Sequence, residues 1–495
     1  MELRHLLSRD QQRQLALLSF FYEGDFFATE AELLSLTQVT AGILQQDLAQ
    51  LEQSYPELAV SKNEQGYRLI QHTPLSFNLI KARLLNQCPH ISLLRLLLFE
   101  NCPSQAQAAA RLFLSSSTTH RYLEQLALTL AAWEIRIEYR PLRLEGNEVK
   151  IRRLYTALYR QIQLWSESFF ATPNQDRATR QFLTAYLHAQ GLPESNYVID
   201  KLFVSYFVAS IRQCRGHILR QPKKHPFLLD PAPYLTTQIE NGLTETPVNQ
   251  LEQQDLLWLL FEDYYLFQPE YYRRALETNP RLQGVERFNR DFLAFLQDHY
   301  RLDYSSAHQE TLLFQFASEN EVFGPPKDML QILRHPRHFF LKKTERFYPV
   351  EVADLKRSIR NFFATRHEVL TEEFLEHLLY LVLQEMPEIV LNRLPLRILV
   401  MSDLSASHNV HLMGVLQKHL GANLRFQTLD KVFYHDEELV DHFKQFDLIL
   451  TTLMPSQNMH DLPVMVIPSF MDFQELDRIH RKIQEIRSQK AQELE

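Results

Sequence analysis

QAQAAARLFLSSSTTHRYLEQLALTL, residues 105–130, is the stretch on which the fold turns. Two apolar-periodic segments meet at its run of serines, and in the second Thr119, Leu123 and Leu126 fall on one face at spacings of four and three. The same design stands 75 residues earlier in TEAELLSLTQVTAGILQQDLAQL, residues 29–51, where Thr40 takes the place of Ser115 and Leu44, Leu48 and Leu51 repeat the apolar face. Thr40 can N-cap the second helix of its pair. Each copy is therefore expected to be a helix-turn-helix. Both are followed by β-prone runs. LAVSKNEQGYRLI (58–70) turns around Asn63-Glu64-Gln65-Gly66, and in IRIEYRPLRLEGNEVKIRRLY (135–155) Ile135, Ile137 and Tyr139 pair with Leu142 and Leu144. The expectation is tandem winged helix-turn-helix modules over 1–72 and 73–160.

At 495 residues the chain is long enough for three or more cores. An apolar fraction of 45% with 23% charged residues leaves neither disorder nor a low-complexity fibre as a candidate. Only 11 glycines argue against β-sandwiches and Gly-rich phosphate loops, so a mainly α, multidomain protein is expected. Three scattered cysteines, Cys88, Cys102 and Cys214, suit neither a disulfide framework nor a thiolate zinc site. No stretch approaches the roughly 18 apolar residues of a spanning helix, and no membrane partner is expected; a cytoplasmic location is. G-x-S-x-G, Walker A, H-E-x-x-H and C-x-x-C motifs are all missing, and the pairs His335/His338 and His408/His411 come without a third ligand. No enzyme, metal or cofactor is expected.

The formal charge of −8 hides a local signal. Residues 1–70 carry 5 Lys and Arg against 10 Asp and Glu, whereas residues 71–160 carry 12 against 6. The second module is thus a basic island in an acidic chain, which points to double-stranded DNA. In a winged helix-turn-helix the second helix enters the major groove with its N-terminal residues at base edges, while flanking cations hold phosphates. Ser116, Ser117, Thr118, His120 and Arg121 occupy that place, and Arg121 suits bidentate reading of guanine. Arg111, Arg136, Arg140, Arg143, Lys150, Arg152 and Arg153 suit phosphates. The first module offers only Gln45 and Gln46 at the matching positions and is expected to contribute less.

From 161 to about 390 the sequence is helix-periodic. One stripe is Ile199, Leu202, Phe203, Tyr206, Phe207, Ile211 and Cys214; another is Phe374, Leu378, Leu381 and Val382. Bundles over 161–283 and 284–390 are expected, with a proline-rich loop at 221–234. The tail changes period. LRILVMS (396–402), LRFQTL (424–429), FDLILTT (446–452) and PVMVIPS (463–469) alternate with helical stretches in the order β-α-β-α-β-β-α, which folds as a small parallel α/β layer structure over 395–495.

This order of domains, with AAARLFLSSSTTHRYLEQL and LRLEGNEVKIRRLY as its strongest motifs, resembles the Mga family of Gram-positive transcriptional regulators. The resemblance implies that 161–390 holds two PTS regulation domains, phosphorylated on histidine by the sugar phosphotransferase system with phosphorylated HPr as a partner. It further implies that 395–495 is EIIB-like and serves homodimerisation, and that the protein links carbohydrate supply to virulence or niche genes. His217, in IRQCRGHILRQPKKH beside several cations, is the first candidate phosphoacceptor, followed by His377 and His188. A working EIIB carries a cysteine just after its first strand, but Ser402-Asp403 stands here and no cysteine follows Cys214. Phe113 occupies a turn position often given to glycine. The alternatives are an RNA-binding antiterminator, which also carries paired PTS regulation domains but on a small β-module, and a phosphotransfer component of the sugar system, which the missing cysteine disfavours.

Overall fold

The structure is a computed structural model describing residues 3–23, 27–64, 66–162, 169–170, 172–192, 194–219, 254–262, 269–323, 332–333, 336–391, 395–420, 424–429, 436–452 and 462–494. Two compact units emerge: residues 1–293 with 304–335, and residues 294–303 with 336–495. The expected loop at 221–234 lies outside the described residues.

The first unit opens with α1 (Arg9–Glu23), α2 (Glu30–Thr37) and α3 (Ala41–Ser54), then the antiparallel hairpin β1 (Leu58–Asn63) and β2 (Gly66–Gln71). Helix α2 starts on a capping box, in which Thr29 accepts from the Glu32 amide and Glu32 reaches back to the Thr29 amide. Leu44, Leu48 and Leu51 close the core against Leu17, Leu18, Leu33 and Tyr55. Thr40 sits at the N-cap of α3 with extended backbone, but its side chain makes no capping bond. Gly66 has φ +127°, and a Cβ there would lie 2.3 Å from the Ala28 carbonyl oxygen. Only glycine lets the hairpin reach the Ala28–Tyr67 bridge.

The second copy runs through α4 (Phe77–Asn86), α5 (Pro89–Phe99), α6 (Gln105–Arg111), α7 (Ser116–Ala131), β3 (Ile135–Tyr139) and β4 (Leu142–Gly146). Ile137 pairs with Leu144 and Tyr139 with Leu142, the register that alternation predicts. The wing then stops. Residues 148–155, expected to continue it, instead form the start of helix α8 (Glu148–Ile162), which buries Ile151, Leu154, Tyr155, Leu158 and Tyr159 at helical spacing.

Helix α8 packs on α4 and on α10 (Asn196–Cys214), which follows α9 (Pro173–Ala189). One continuous core therefore runs from Leu93, Leu97 and Leu126 through Leu154 to Phe182, Phe203 and Trp258. Within the α10 stripe Phe203 and Phe207 are buried as expected, but Cys214, at the helix end, is exposed. The unit continues with α11 (Trp258–Glu262), α12 (Pro269–Thr278), the first part of α13 (Pro280–Tyr300) and α14 (Ser306–Phe323). The expected cut between residues 283 and 284 falls inside α13, a single uninterrupted helix.

The second unit holds the end of α13 with α15 (Pro336–Phe347), α16 (Pro349–Thr365), α17 (Glu372–Glu385) and α18 (Glu388–Leu391). It then forms β5 (Leu396–Met401), α19 (Ala406–Leu420), β6 (Leu424–Thr428), α20 (Asp436–Phe443), β7 (Leu448–Thr451), β8 (Val464–Val466) and α21 (Phe473–Leu494). All strands are parallel in the order β6-β5-β7-β8. Ile398 and Val400 face Leu412, Leu416, Ile479 and Ile483 of α19 and α21. Leu399 and Met401 face Phe443 of α20 on the opposite side. Helix α21 also packs on α16, so the α/β layer and the helices before it share one unit.

Candidate nucleic-acid interface

In the second module the α6–α7 corner is built by caps at both ends. Ser104 accepts from the Gln107 amide to start α6, and Ser115 accepts from the Thr118 amide at 3.0 Å to start α7. Between them the Leu114 amide donates to Ala109 and the Phe113 amide to Ala110, a Schellman closure with Phe113 left-handed at φ +55°. Thr119, Leu123, Leu126 and Leu130 anchor one face of α7 in the core. Its other face is thereby turned outward.

On that outward face Ser116, Ser117, His120 and Arg121 are exposed, with Thr118 half-buried. The Arg121 guanidinium lies over the Tyr122 ring, 5.4 Å from its centroid, and His120 Nε2 is 3.2 Å from Glu124 Oε1. Arg111 donates to Asn101 Oδ1 at 2.7 Å from the end of α6. Hydroxyls and one guanidinium thus line the first two turns of a helix that has its apolar side fixed.

The wing presents Arg140 at its tip, exposed, and Arg136 and Arg143 on its strands. Arg136 Nη2 donates to Glu145 Oε2 at 2.8 Å, and Arg143 pairs with the same carboxylate. These guanidiniums, Arg136 foremost, hold the Glu145 carboxyl below the ordinary range. A phosphate approaching the strands must compete with Glu145, whereas one at the tip meets Arg140 directly. Lys150 lies 3.0 Å from Glu134.

Arg152 is a different residue from the one the sequence suggested. It has 0% exposure and cannot meet a phosphate. Its Nη2 donates to Asp255 Oδ2 at 2.8 Å and to the His217 carbonyl at 2.8 Å, and its Nε donates to Glu148 Oε1 at 3.0 Å. Arg212, equally buried, donates to Glu148 Oε2 at 2.6 Å and to Glu100 Oε1 at 2.8 Å. The misassignment follows from reading 148–155 as wing: on a strand Arg152 would alternate outward, but on α8 it shares the buried face with Glu148 and Tyr155. Arg153, its neighbour, is half-buried. The carboxylates Glu100, Glu148 and Asp255 carry no motif and were not anticipated. Neither Arg152, read as a wing cation, nor Arg212 stands on a predicted core stripe, so residue spacing carries no sign of these buried anions.

The first module lacks such a surface. Gln45 and Gln46 are exposed at the matching positions of α3, but Gln45 Nε2 donates to Tyr67 Oη at 2.6 Å, tying α3 to its own wing. Arg13 of α1 reaches α3 but pairs with Asp47 at 2.6 Å.

The three histidines take distinct places. His217 Nε2 lies 2.7 Å from Glu100 Oε1, so it joins the buried network at its edge. His377 is buried in α17, where Arg337 Nη1 lies 2.6 Å from its Nδ1. His188 is exposed at the end of α9 and pairs with Glu194 at 2.7 Å.

A winged helix-turn-helix with a solvent-facing, cation-bearing second helix defines a class, the DNA-binding regulators. Residues 73–159 match the Mga helix-turn-helix domain family. The chain is also similar to a "Putative trans-acting regulator" of Streptococcus pneumoniae serotype 4, at 19% identity over 504 aligned residues covering 96% of this chain and all of the relative. These likenesses support a DNA-binding regulator that carries an Mga-type helix-turn-helix domain over residues 73–159. Among the described residues no helix is long and apolar enough to cross a membrane.

Proposed function

We propose that the protein is a dimeric transcriptional regulator that binds duplex DNA chiefly through α7 and the β3–β4 wing, with histidine phosphorylation by the sugar phosphotransferase system tuning that binding. The observation that carries the DNA reading is the outward face of α7. Arg121 and the Ser116–Ser117 hydroxyls project from a helix whose apolar side is locked by Thr119, Leu123 and Leu126. Arg140 at the wing tip supplies a second, sequence-indifferent contact. A gel-shift series against salt tests this. Log affinity falls linearly with log salt at about 0.9 per neutralised phosphate, Arg140→Ala lowers that slope by about one, and Arg121→Ala narrows the gap between specific and random duplex. Equal losses on all sequences for both variants would overturn the role given to Arg121.

His217 is the favoured phosphoacceptor on physical grounds. A phosphoryl group adds close to two negative charges at neutral pH, and on this ring it would stand against Glu100, displace that carboxylate and leave Arg212 to re-pair. Phosphorylated HPr is the donor this reading requires. Transfer from phosphorylated HPr followed by site mapping checks it; label on His377 or His188 with His217 bare would reassign the switch. Self-association through 395–495 is supported by Phe470 and Phe473, 77% and 80% exposed, with Leu404 and Val410 also exposed on the same α/β layer. Phe470→Glu with Phe473→Glu is expected to shift the protein to monomer in sedimentation.

A further inference from the structure

The turn between α6 and α7 holds an expenditure that the fold itself does not need. A Schellman closure requires a left-handed residue after the helix, and glycine takes that conformation without steric penalty. Phe113 stands there instead, at φ +55°. Its ring is 96% exposed, so packing within the chain gives no return for placing a bulky, strained residue at this point. The first module makes the contrast sharp. At the equivalent position, two residues before the N-cap, Gln38 adopts the same left-handed backbone at φ +53° and is polar. Both turns need the geometry; only the basic module adds an aromatic ring to it.

The neighbours of Phe113 say what the ring faces. Two residues on lies Ser115, the cap of α7, followed by the exposed Ser116 and Ser117 and, one further turn along, Arg121. On the other side is the exposed Arg111. The ring therefore stands at the leading edge of the surface assigned above to DNA, between two cationic positions and with no carboxylate among residues 101–123.

We infer that Phe113 is a DNA-contacting residue, laying its ring against the apolar wall of the major groove where α7 enters. The inference rests on the DNA reading of α7 and adds to it a contact that neutralises no phosphate. Two parts of a duplex offer that chemistry, the deoxyribose edge and the thymine 5-methyl group.

Four full-length proteins decide the matter: wild type, Phe113→Gly, Phe113→Asn and Arg140→Ala, each titrated against a mixed-sequence duplex pool of about 40 base pairs over a range of salt. Phe113→Gly relieves the backbone, so its Tm rises by about 2–4 °C, yet its affinity falls about tenfold, the loss of one buried aromatic contact. The salt slope stays at the wild-type value, whereas Arg140→Ala lowers it. Phe113→Asn, which tolerates the left-handed backbone, loses affinity equally and shows that the ring and not the strain is responsible. Repeating the titration on a pool with deoxyuridine in place of thymidine separates the two contacts: the wild-type advantage disappears if the ring meets the methyl and persists if it meets sugar. Should both Phe113 variants bind like wild type, the inference is wrong while the DNA reading stands. Should wild type itself show no salt-dependent binding, it is the reading of α7 that fails.

Discussion

The two winged helix-turn-helix modules share a skeleton and differ in what they put on it. Each has a short helix, a left-handed turn residue, a longer helix with apolar residues at spacings of four and three, and an antiparallel hairpin. In the first, the outward side of α3 offers glutamines, one of them bonded to its own wing, and Arg13, which reaches α3 from α1, is held by Asp47. In the second, the same side offers hydroxyls, Arg121 and an exposed phenylalanine. Backbone pattern makes the motif, and the few positions that the core leaves unconstrained make the interface.

The largest expected effect lies beneath the second module. Breaking a buried pair leaves an uncompensated charge worth about 3–5 kcal/mol, so Arg152→Ala is expected to lower the thermal midpoint strongly and lose DNA binding through unfolding. Lys62→Ala, which breaks the solvent-exposed pair with Glu30 in the first module, is expected to leave the midpoint nearly unchanged. Equal midpoints for the two variants would erase this distinction. Next comes the interface itself: Arg121→Ala loses about 1–3 kcal/mol of discrimination, while Gln45→Ala stays within about twofold of wild type in the same titration. A loss at Gln45 as large as at Arg121 would mean both modules read bases.

The caps provide a third comparison. Ser115→Ala removes a capping bond to the Thr118 amide and costs about 1 kcal/mol in chemical denaturation, whereas Thr40→Ala, where no such bond exists, costs only a few tenths. The smallest effect is on pH. His90 in α5, buried, bonds to Gln125 of α7 at 2.8 Å, and burial holds its imidazole below the ordinary value near 6.5. The folded protein then carries fewer protons than the unfolded chain in the window beneath that value, so the stability is complete above about pH 6.5 and drains away as pH falls toward the depressed pKa. His90→Gln should flatten this acid limb in melts taken between about pH 5 and 7.

Much of the architecture was legible because it rests on periodicity. The apolar triplets of α3 and α7, the register of the β3–β4 hairpin and the β-α-β-α-β-β-α order of the tail all follow from side-chain spacing alone. What escaped was local chemistry that periodicity does not encode. Thr40 has the right residue type and backbone for a cap yet does not cap, while Thr29, eleven residues earlier, forms a full capping box. Arg152 and Arg153 looked like wing cations because IRRLY is equally at home on a strand, and only the burial of Tyr155 and Leu158 on the same helical face decides for α8. The anions that neutralise Arg152 and Arg212 come from positions up to 112 residues away in sequence, a distance over which spacing carries no information.

Helix α8 lies in the middle of one continuous core. Its residues Ile151, Leu154 and Tyr155 are packed together with the β3–β4 wing and with α10, and it carries Glu148, to which both buried arginines are tied. Such a helix acts as a shaft and not as a hinge. If the switch proposed at His217 operates, a disturbance there would reach the base of the wing through this packed helix and change the angle at which a rigid tool is presented.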